Sequence, residues 1–383
     1  MSLCAGAKRR KRQKRGAGRW GACPMSHALI AEGGARKANT GGIWMARTGG
    51  AIRGWARGGE AGLVILSAGL AGCSAQSPAI LAPVSPKGRA EAELFWFILA
   101  ITAFVFVVVE ALLLYAVIRF RARDPQAIPP QIHGNRALEV SWTTVTALGL
   151  AVIFAMTWRT MAATSTPPAE AIPVKVIGHQ WWWEFQYPTL GITTANELVI
   201  PVGRPIRLTV TAADVIHSFW VPQLGGKMDA IPGRENLLWL QADVEGTYYG
   251  QCAELCGASH ANMRLRVRVV SDSEFQRWVE AQRAPAAQPV EPLAQKGYQV
   301  FMSKACVGCH TIDGTPARGK VGPNLTHVGS RTTIAAGLLE NTPENLARWL
   351  DNPPAVKPGS LMPRLGLTPE EIQALVAYLS SLK

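Results

Sequence analysis

Two long apolar segments constrain this 383-residue chain most strongly. Residues 94–118 and 140–158 contain a single charge between them, Glu110. Each is long enough to cross the ~30 Å hydrocarbon core of a membrane as a helix. The connection between them carries four arginines against two acids: Arg119, Arg121, Arg123 and Arg136 against Asp124 and Glu139. Because short cytoplasmic loops are enriched in Lys and Arg, we expect both ends of this hairpin to lie outside the cytoplasm.

The net charge of +13 is concentrated in residues 1–72, which carry +11. The rest of the chain is nearly neutral, so a nucleic-acid partner has no support. The leader ends in a short apolar run typical of a secretory signal peptide, and its last residues, Leu-Ala-Gly-Cys, resemble the bacterial lipobox. This predicts lipidation at Cys73, and an ordinary signal cleaved near Ala75 is the alternative. A signal of usual length would begin at Met45, so we interpret residues 1–44 as a misread start, with a genuine basic tail as the alternative.

The part after the hairpin divides at a linker, residues 281–292, which is rich in Ala, Pro and Gln. Residues 163–280 contain short runs of Val, Ile, Leu and Thr that alternate with polar residues and are separated by Gly and Pro. Such runs predict a small all-β sandwich or barrel. Residues 293–383 instead show helical patterns. We therefore predict a multidomain membrane protein in which residues 73–162 hold the hairpin and an all-β domain precedes an all-α domain.

Three amphipathic helices are predicted in the last segment, at Leu293–Lys304, Pro343–Leu350 and Pro369–Leu382. The third is preceded by Thr368, with Glu371 three residues on, which is the pattern of a capping box.

Four of the seven cysteines form two close pairs, Cys252/Cys256 and Cys306/Cys309. Disulfides are one interpretation of each pair in an exported compartment. The second pair, however, is followed directly by His310, and Cys-x-x-Cys-His is the signature of c-type haem attachment. The two thiols bind the haem vinyl groups, and the histidine ligates the iron from one face.

The sixth iron ligand is expected downstream of this motif. Met362 is the only methionine after Met302, and a methionine ligand suits an electron carrier because it raises the reduction potential. Met302 is too close in sequence to reach the opposite haem face if its segment is helical. His327 is the competing candidate.

The first cysteine pair lies in a segment unusually dense in metal-ligating residues. Cys252, Cys256, His260 and Met263 fall within twelve residues, and soft sulfur with imidazole suits copper. His217, on an earlier predicted strand, could supply a further ligand. A blue-copper site uses a single cysteine, so two cysteines indicate two coppers bridged by both thiolates.

Several segments together resemble subunit II of the haem–copper cytochrome c oxidases. They are Cys-x-Glu-x-Cys-Gly-x-x-His-x-x-Met at 252–263, His-Ser-Phe-Trp-Val-Pro at 217–222, Gly-His-Gln-Trp-Trp-Trp-Glu-Phe at 178–185 and Asp-Ala-Ile-Pro-Gly-Arg at 229–234. The resemblance covers residues 91–270. Residues 293–383 resemble a class I cytochrome c, as is fused to this subunit in some bacterial oxidases.

The resemblance implies a cupredoxin-like fold with a binuclear copper centre, CuA. Position by position, it implies that Cys252 and Cys256 bridge the coppers and that the other ligands are His217, His260, Met263 and the backbone carbonyl of Glu254. The Glu254 carboxylate would face a Mg²⁺ ion at the contact with subunit I.

Two further roles are implied by the resemblance. Trp181 would be the residue at which electrons enter the copper domain, and Glu139 would lie where protons enter a path into subunit I. Successive side chains of a strand face opposite sides, so we also expect at least one of Trp181, Trp182 and Trp183 to be exposed.

The implied function is electron relay. A cytochrome c or another external donor would reduce the haem, and electrons would pass through CuA to the haem and copper of subunit I, where O₂ becomes water and protons are pumped. Subunit I, and with it subunit III, would be partners in a bacterial inner membrane. A copper chaperone would not need Met263 or a haem, and a free-standing membrane-anchored electron carrier would make no contact with a subunit I.

Overall fold

The structure is a computed structural model that describes residues 79–122, 126, 128 and 130–383. The leader, the signal peptide and the lipidation site predicted at Cys73 lie outside these residues.

Two long apolar helices form the N-terminal part of the described chain. Helix α1 spans Pro86–Arg119 and helix α2 spans Arg136–Ser165, and their most apolar windows have mean hydropathies of 2.8 and 1.7. The Ser85 hydroxyl accepts a hydrogen bond from the first turn of α1, and Asn135 caps α2 in the same way. The predicted hairpin of two spanning helices is confirmed, and each helix extends beyond its apolar segment because these polar caps lie several residues outside it.

The central part of the chain, residues 172–270, folds into two five-stranded sheets and is called the β-sandwich domain below. Ten strands form it: β1 Ile172–His179, β2 Trp182–Tyr187, β3 Ile192–Ala195, β4 Glu197–Pro201, β5 Ile206–Ala212, β6 His217–Trp220, β7 Met228–Ala230, β8 Asn236–Leu240, β9 Gly246–Cys252 and β10 Arg264–Val270. The strand order is β3-β2-β1-β5-β8 in one sheet and β4-β10-β9-β6-β7 in the other. The β1–β5 and β4–β10 pairs are parallel, and the other pairs are antiparallel.

Alternation of apolar and polar residues decides which face of each strand is buried. In β1, β2 and β5 every second residue is buried, and the buried side chains from both sheets, such as Phe185, Leu208, Phe219 and Val267, form one core. The predicted all-β domain is therefore confirmed as a sandwich.

Helix α3, Asp272–Arg283, follows the sandwich directly. It occupies the first three residues of the predicted linker, so the extended segment begins only after Arg283. That segment is held against its neighbours and is not a free spacer. Ala286 is buried in the core of the last domain, and the Ala284 carbonyl accepts a hydrogen bond from Nε2 of His327 at 3.1 Å.

The last part, residues 292–383, is called the C-terminal domain. It contains helices α4 Pro292–Ser303, α5 Cys306–Cys309, α6 Pro343–Asp351, α7 Pro353–Val356 and α8 Pro369–Ser381, and the short strands β11 Thr333–Ile334 and β12 Leu339–Glu340. Helices α4 and α8 cross at Gly297, where a Cβ atom would lie 1.9 Å from the Ala374 carbonyl oxygen. The three predicted helices are confirmed, as is the capping box, in which Thr368 and Glu371 each accept a hydrogen bond from the other's backbone N–H.

Candidate functional site

The first candidate site lies where strands β6 and β9 run side by side in one sheet. Phe219 of β6 is paired with Cys252 at the end of β9, so the start of β6, at His217, lies close to this cysteine. The loop between β9 and β10 then turns back over the same end of the sandwich. It brings Cys256, His260 and Met263 to Cys252, so ligands that are distant in sequence meet through strand pairing.

A different histidine ring nitrogen lies close to each of the two cysteine sulfurs. Cys252 Sγ lies 4.0 Å from Nδ1 of His217, and Cys256 Sγ lies 3.6 Å from Nδ1 of His260. The two sulfurs are 3.8 Å apart, far beyond the ~2.05 Å of a disulfide, and both cysteines are free. Met263 Sδ lies 3.9 Å from the second sulfur. The disulfide interpretation of this pair is therefore wrong.

The Glu254 carbonyl oxygen faces the same cluster, 3.2 Å from Cys252 Sγ, while the Glu254 side chain is exposed. The Cys256 thiol donates a hydrogen bond to Cys252, which lowers the pKa of Cys252 and raises the pKa of Cys256. The thiolate is the form of cysteine that binds metal.

A carboxylate orients the first histidine, a role that the sequence did not reveal. Asp214 Oδ1 lies 2.8 Å from Nε2 of His217, so the other ring nitrogen is turned toward Cys252. Asp214 is itself held by the backbone N–H groups of Gln180 and Val215. Its position three residues before the histidine was the only available signal.

This donor set fits a binuclear copper centre. It combines two free thiols, two imidazoles oriented through Nδ1, a thioether and a carbonyl, and the two cysteines, His217 and Met263 are buried. Soft sulfur and imidazole ligands are those that copper prefers.

The second candidate site is a cavity of about 230 Å³ that is bounded mainly by the C-terminal domain. Cys306, Cys309 and His310 line one side, and Met362 also lines the cavity. Nδ1 of His310 lies 2.8 Å from the Pro323 carbonyl oxygen, which leaves Nε2 as the nitrogen available to a metal. Burial lowers the pKa of His310, which keeps its imidazole neutral, as ligation requires.

The cavity fits a covalently held haem. Its walls are largely apolar, both thiols are unpaired, and Gly322 packs so closely on the His310 ring that a Cβ atom would lie 2.5 Å from Cε1. Two cationic residues, Arg331 and Lys357, also line the cavity, and Nε of Arg331 is buried without a partner among the described residues. Burial lowers the pKa of Arg331 to about 10. Nη2 of Arg331 donates a hydrogen bond to the Asn324 carbonyl oxygen, so Nε is the donor left to an anionic substituent such as a haem propionate.

The two candidates for the sixth iron ligand, His327 and Met362, have different surroundings. Both ring nitrogens of His327 are occupied, lying 3.2 Å and 3.1 Å from the carbonyl oxygens of Lys383 and Ala284. Met362 lines the cavity that holds His310, whereas His327 does not.

Trp181 joins the two sites. Its Nε1 donates a hydrogen bond of 3.0 Å to the carbonyl oxygen of Cys256, and the same residue lines the cavity of the C-terminal domain. Trp181 is only 8% exposed, Trp183 is fully buried and Trp182 is half-buried. The expectation of an exposed tryptophan holds only for the partial exposure of Trp182, because the C-terminal domain covers this edge of the sandwich.

The remaining predicted residue, Glu139, lies in the first turn of α2 and is exposed. Glu110, for which no role was assigned, is exposed on α1.

Three family models match the chain. "Cytochrome C oxidase subunit II, transmembrane domain" matches residues 80–159, "Cytochrome C oxidase subunit II, periplasmic domain" matches residues 189–270, and "Cytochrome c" matches residues 294–383.

Curated relatives extend over most of the chain. Cytochrome c oxidase subunit 2 of Alkalihalophilus pseudofirmus is 38% identical over 330 residues, which cover 84% of this chain and 96% of the relative. The same subunit of Bacillus sp. strain PS3 is 39% identical and covers 69% of this chain and 80% of the relative. A solved structure, the periplasmic domain of subunit II of cytochrome oxidase from Bradyrhizobium japonicum, is 42% identical, with a TM-score of 0.30, and covers 31% of this chain and 97% of that structure. The chain belongs to the cytochrome c oxidase subunit II family, in the form that carries a C-terminal cytochrome c domain.

Proposed function

We propose that this chain relays electrons from a cytochrome c or another external donor to the haem–copper centre of oxidase subunit I. A haem c and a binuclear copper, when bound, would supply the one-electron chemistry. The single observation that carries the proposal is the place of Trp181, which lines the haem cavity and donates a hydrogen bond to the Cys256 carbonyl.

In this proposal, Cys306 and Cys309 would hold the haem covalently, and His310 and Met362, which line the same cavity, would be its iron ligands. The imidazole of His310 is held neutral and oriented by the Pro323 carbonyl. The apolar walls exclude water, which favours a high reduction potential.

On the copper side, Cys252 and Cys256 would supply thiolates to both metals, and His217 and His260 would each supply an imidazole, with Met263 and the Glu254 carbonyl as weaker ligands. The Asp214 carboxylate fixes the His217 ring. The exposed Glu254 side chain is free to reach a Mg²⁺ ion at the contact with subunit I.

The wider setting is an oxidase complex in which subunit I, assisted by subunit III, reduces O₂ to water and pumps protons. The chain is anchored in the membrane with its two cofactor domains on the periplasmic side. We extend the proposal to an outward location of both termini, to lipidation of Cys73 and to proton uptake near Glu139.

Three substitutions, two at the copper site and one at the haem site, test the cofactor assignment in the purified complex. Cys252→Ser should abolish the near-infrared copper absorbance and leave the haem c spectrum intact, and His217→Ala should do the same. Cys309→Ser should remove the covalent haem and leave the copper absorbance. Metal analysis of the complex should find two coppers more than in Cys252→Ser and one covalent haem per copy of this chain. Copper absorbance that survives Cys252→Ser would contradict the assignment.

A free-standing membrane-anchored carrier is the second candidate function. Co-purification separates the two: the tagged full chain should bring a haem–copper subunit I from membranes. A chain that purifies alone, with both cofactors present, would contradict the oxidase role.

A further inference from the structure

A buried carboxylate of the β-sandwich domain is bonded only to the C-terminal domain. Glu197, at the start of β4, is 3% exposed. Its Oε1 accepts hydrogen bonds from the backbone N–H groups of Thr332 and Thr333, both at 2.8 Å, and from their hydroxyls at 2.6 and 3.1 Å. Hydrogen bonds to a charged acceptor are about twice as strong as neutral ones, so four of them define one orientation of the two domains.

A buried lysine reaches across the same boundary in the opposite direction. Lys357, between α7 and α8 of the C-terminal domain, is 4% exposed. Its Nζ donates hydrogen bonds to the Trp181 carbonyl oxygen at 2.5 Å and to the Ala335 carbonyl oxygen at 3.4 Å. The main chain of Trp181 is therefore tied to the C-terminal domain, and its indole ring is tied to the Cys256 carbonyl of its own domain.

Smaller contacts surround these two charges. The Ser259 hydroxyl donates to the Pro358 carbonyl, and the Arg264 N–H donates to the Ala336 carbonyl at 3.1 Å. At Gly359 a Cβ atom would lie 2.8 Å from Ala258 Cβ and 3.1 Å from the Trp181 ring, so the backbone of the C-terminal domain packs here on side chains of the β-sandwich domain without room for a side chain of its own.

The loop that receives these contacts has a backbone that isolated residues seldom adopt. Ala335, Ala336 and Gly337 have φ values of 54°, 62° and 74° in succession. Left-handed alanines cost roughly 1–2 kcal/mol each, and they persist only where the surroundings hold them. Here the surroundings are Lys357, Arg264 and Arg266, the last of which donates to the Gly337 carbonyl at 3.1 Å.

We propose that Glu197 and Lys357 lock the C-terminal domain onto the β-sandwich domain in one orientation, and that Lys357 is a positioning residue for Trp181 between the two cofactor sites. This inference rests on the proposed electron relay. A buried polar group is stable only when its hydrogen-bonding partners are in place, so each of the two side chains disfavours any other docking of the domains. The extended segment after Arg283 then joins two fixed bodies and does not permit swinging.

Two substitutions in the full oxidase complex test the lock. Lys357→Met keeps an unbranched side chain of similar length and removes the ammonium, and Glu197→Gln removes the charge from the other domain. Lys296→Met and Glu280→Gln, at exposed positions on α4 and α3, are the matched controls. Copper and haem spectra should be unchanged in all four variants, which shows that the cofactor sites have formed.

Hydrogen exchange is the first measurement. Glu197→Gln should speed exchange of the Thr332 and Thr333 amides about tenfold or more, because a charged acceptor is replaced by a weaker neutral one. Exchange as slow as in the wild-type complex would overturn the lock.

The second measurement is electron transfer from haem c to copper after flash photoreduction of the haem. Lys357→Met should slow this step, and the controls should not. Faster exchange with an unchanged transfer rate would overturn the positioning role of Lys357. If the wild-type complex itself shows no transfer between the two cofactors, the relay fails. If the wild-type complex does show transfer and the variants match its exchange and transfer rates, the electron relay stands and only the interdomain lock fails.

Discussion

A single methyl group added at Gly178 should loosen the copper centre. Gly178 lies on β1, in the sheet that faces His217. A Cβ atom at this position would lie 2.7 Å from Cδ2 and 3.0 Å from Cγ of the His217 ring. These distances are shorter than real contacts allow, so the ring must move. The 2.8 Å contact between Nε2 of His217 and Asp214 opposes that movement.

The cost follows from the crowding. Forcing an extra carbon into a packed core costs about 1–3 kcal/mol, and here the strain falls on a metal ligand. Since about 1.4 kcal/mol corresponds to a factor of ten in binding, Gly178→Ala should weaken copper retention roughly 5- to 150-fold.

The assay is a chelator titration of the purified complex, followed by the near-infrared absorbance and by copper analysis. Gly191→Ala is the control. Gly191 has a φ of 70°, so an alanine at this position is strained, but no atom lies within 4 Å of the added Cβ. It should destabilise the same domain by about 1–2 kcal/mol and leave copper retention unchanged. Copper retention as strong as in the wild type in Gly178→Ala would show that crowding of the His217 ring does not weaken copper binding.

Three further predictions concern other contacts. Asp214→Asn should lower copper affinity about 10- to 100-fold, measured by the same titration, and unchanged affinity would remove its orienting role. Met362→Ala should lower the haem reduction potential and alter the haem spectrum, whereas His327→Ala should preserve the spectrum; the reverse result would exchange the two assignments. The hydrogen bond from Lys304 lowers the pKa of Glu371, so its stabilisation is present at neutral pH and is lost as the pH falls below the ordinary value of 4.5. Lys304→Met should reduce the difference between thermal unfolding at pH 7 and at about pH 4, and an undiminished difference would show that the pair does not act.

Much of the architecture follows from local patterns. The two spans, the strand alternation and the capping box at Thr368 each depend on residues close together in the chain, and the structure confirms them. The bounds predicted for the linker differ from those in the structure, because Ala, Gln and Arg at 281–283 extend α3. The burial of Ala286 was not predicted, because it depends on a domain that follows the linker.

Most residues of both candidate cofactor sites could be predicted from the sequence for the same reason. The haem motif spans five consecutive residues, and the proposed copper ligands other than His217 lie within residues 252–263, so their chemistry is visible as spacing. His217 was found only because a second segment carried its own motif. Asp214 is an ordinary acid until the fold places it 2.8 Å from a histidine ring.

Local patterns in the sequence were enough to predict which ligands the chain offers, its two apolar spans and its resemblance to a family. The contact between the two candidate cofactor sites, in contrast, is visible only in the tertiary structure. Glu197 and Lys357 are ordinary charged residues in the chain, and Trp181 is one of three adjacent tryptophans. Their importance comes from burial between domains, and burial depends on long-range packing that spacing along the chain does not encode.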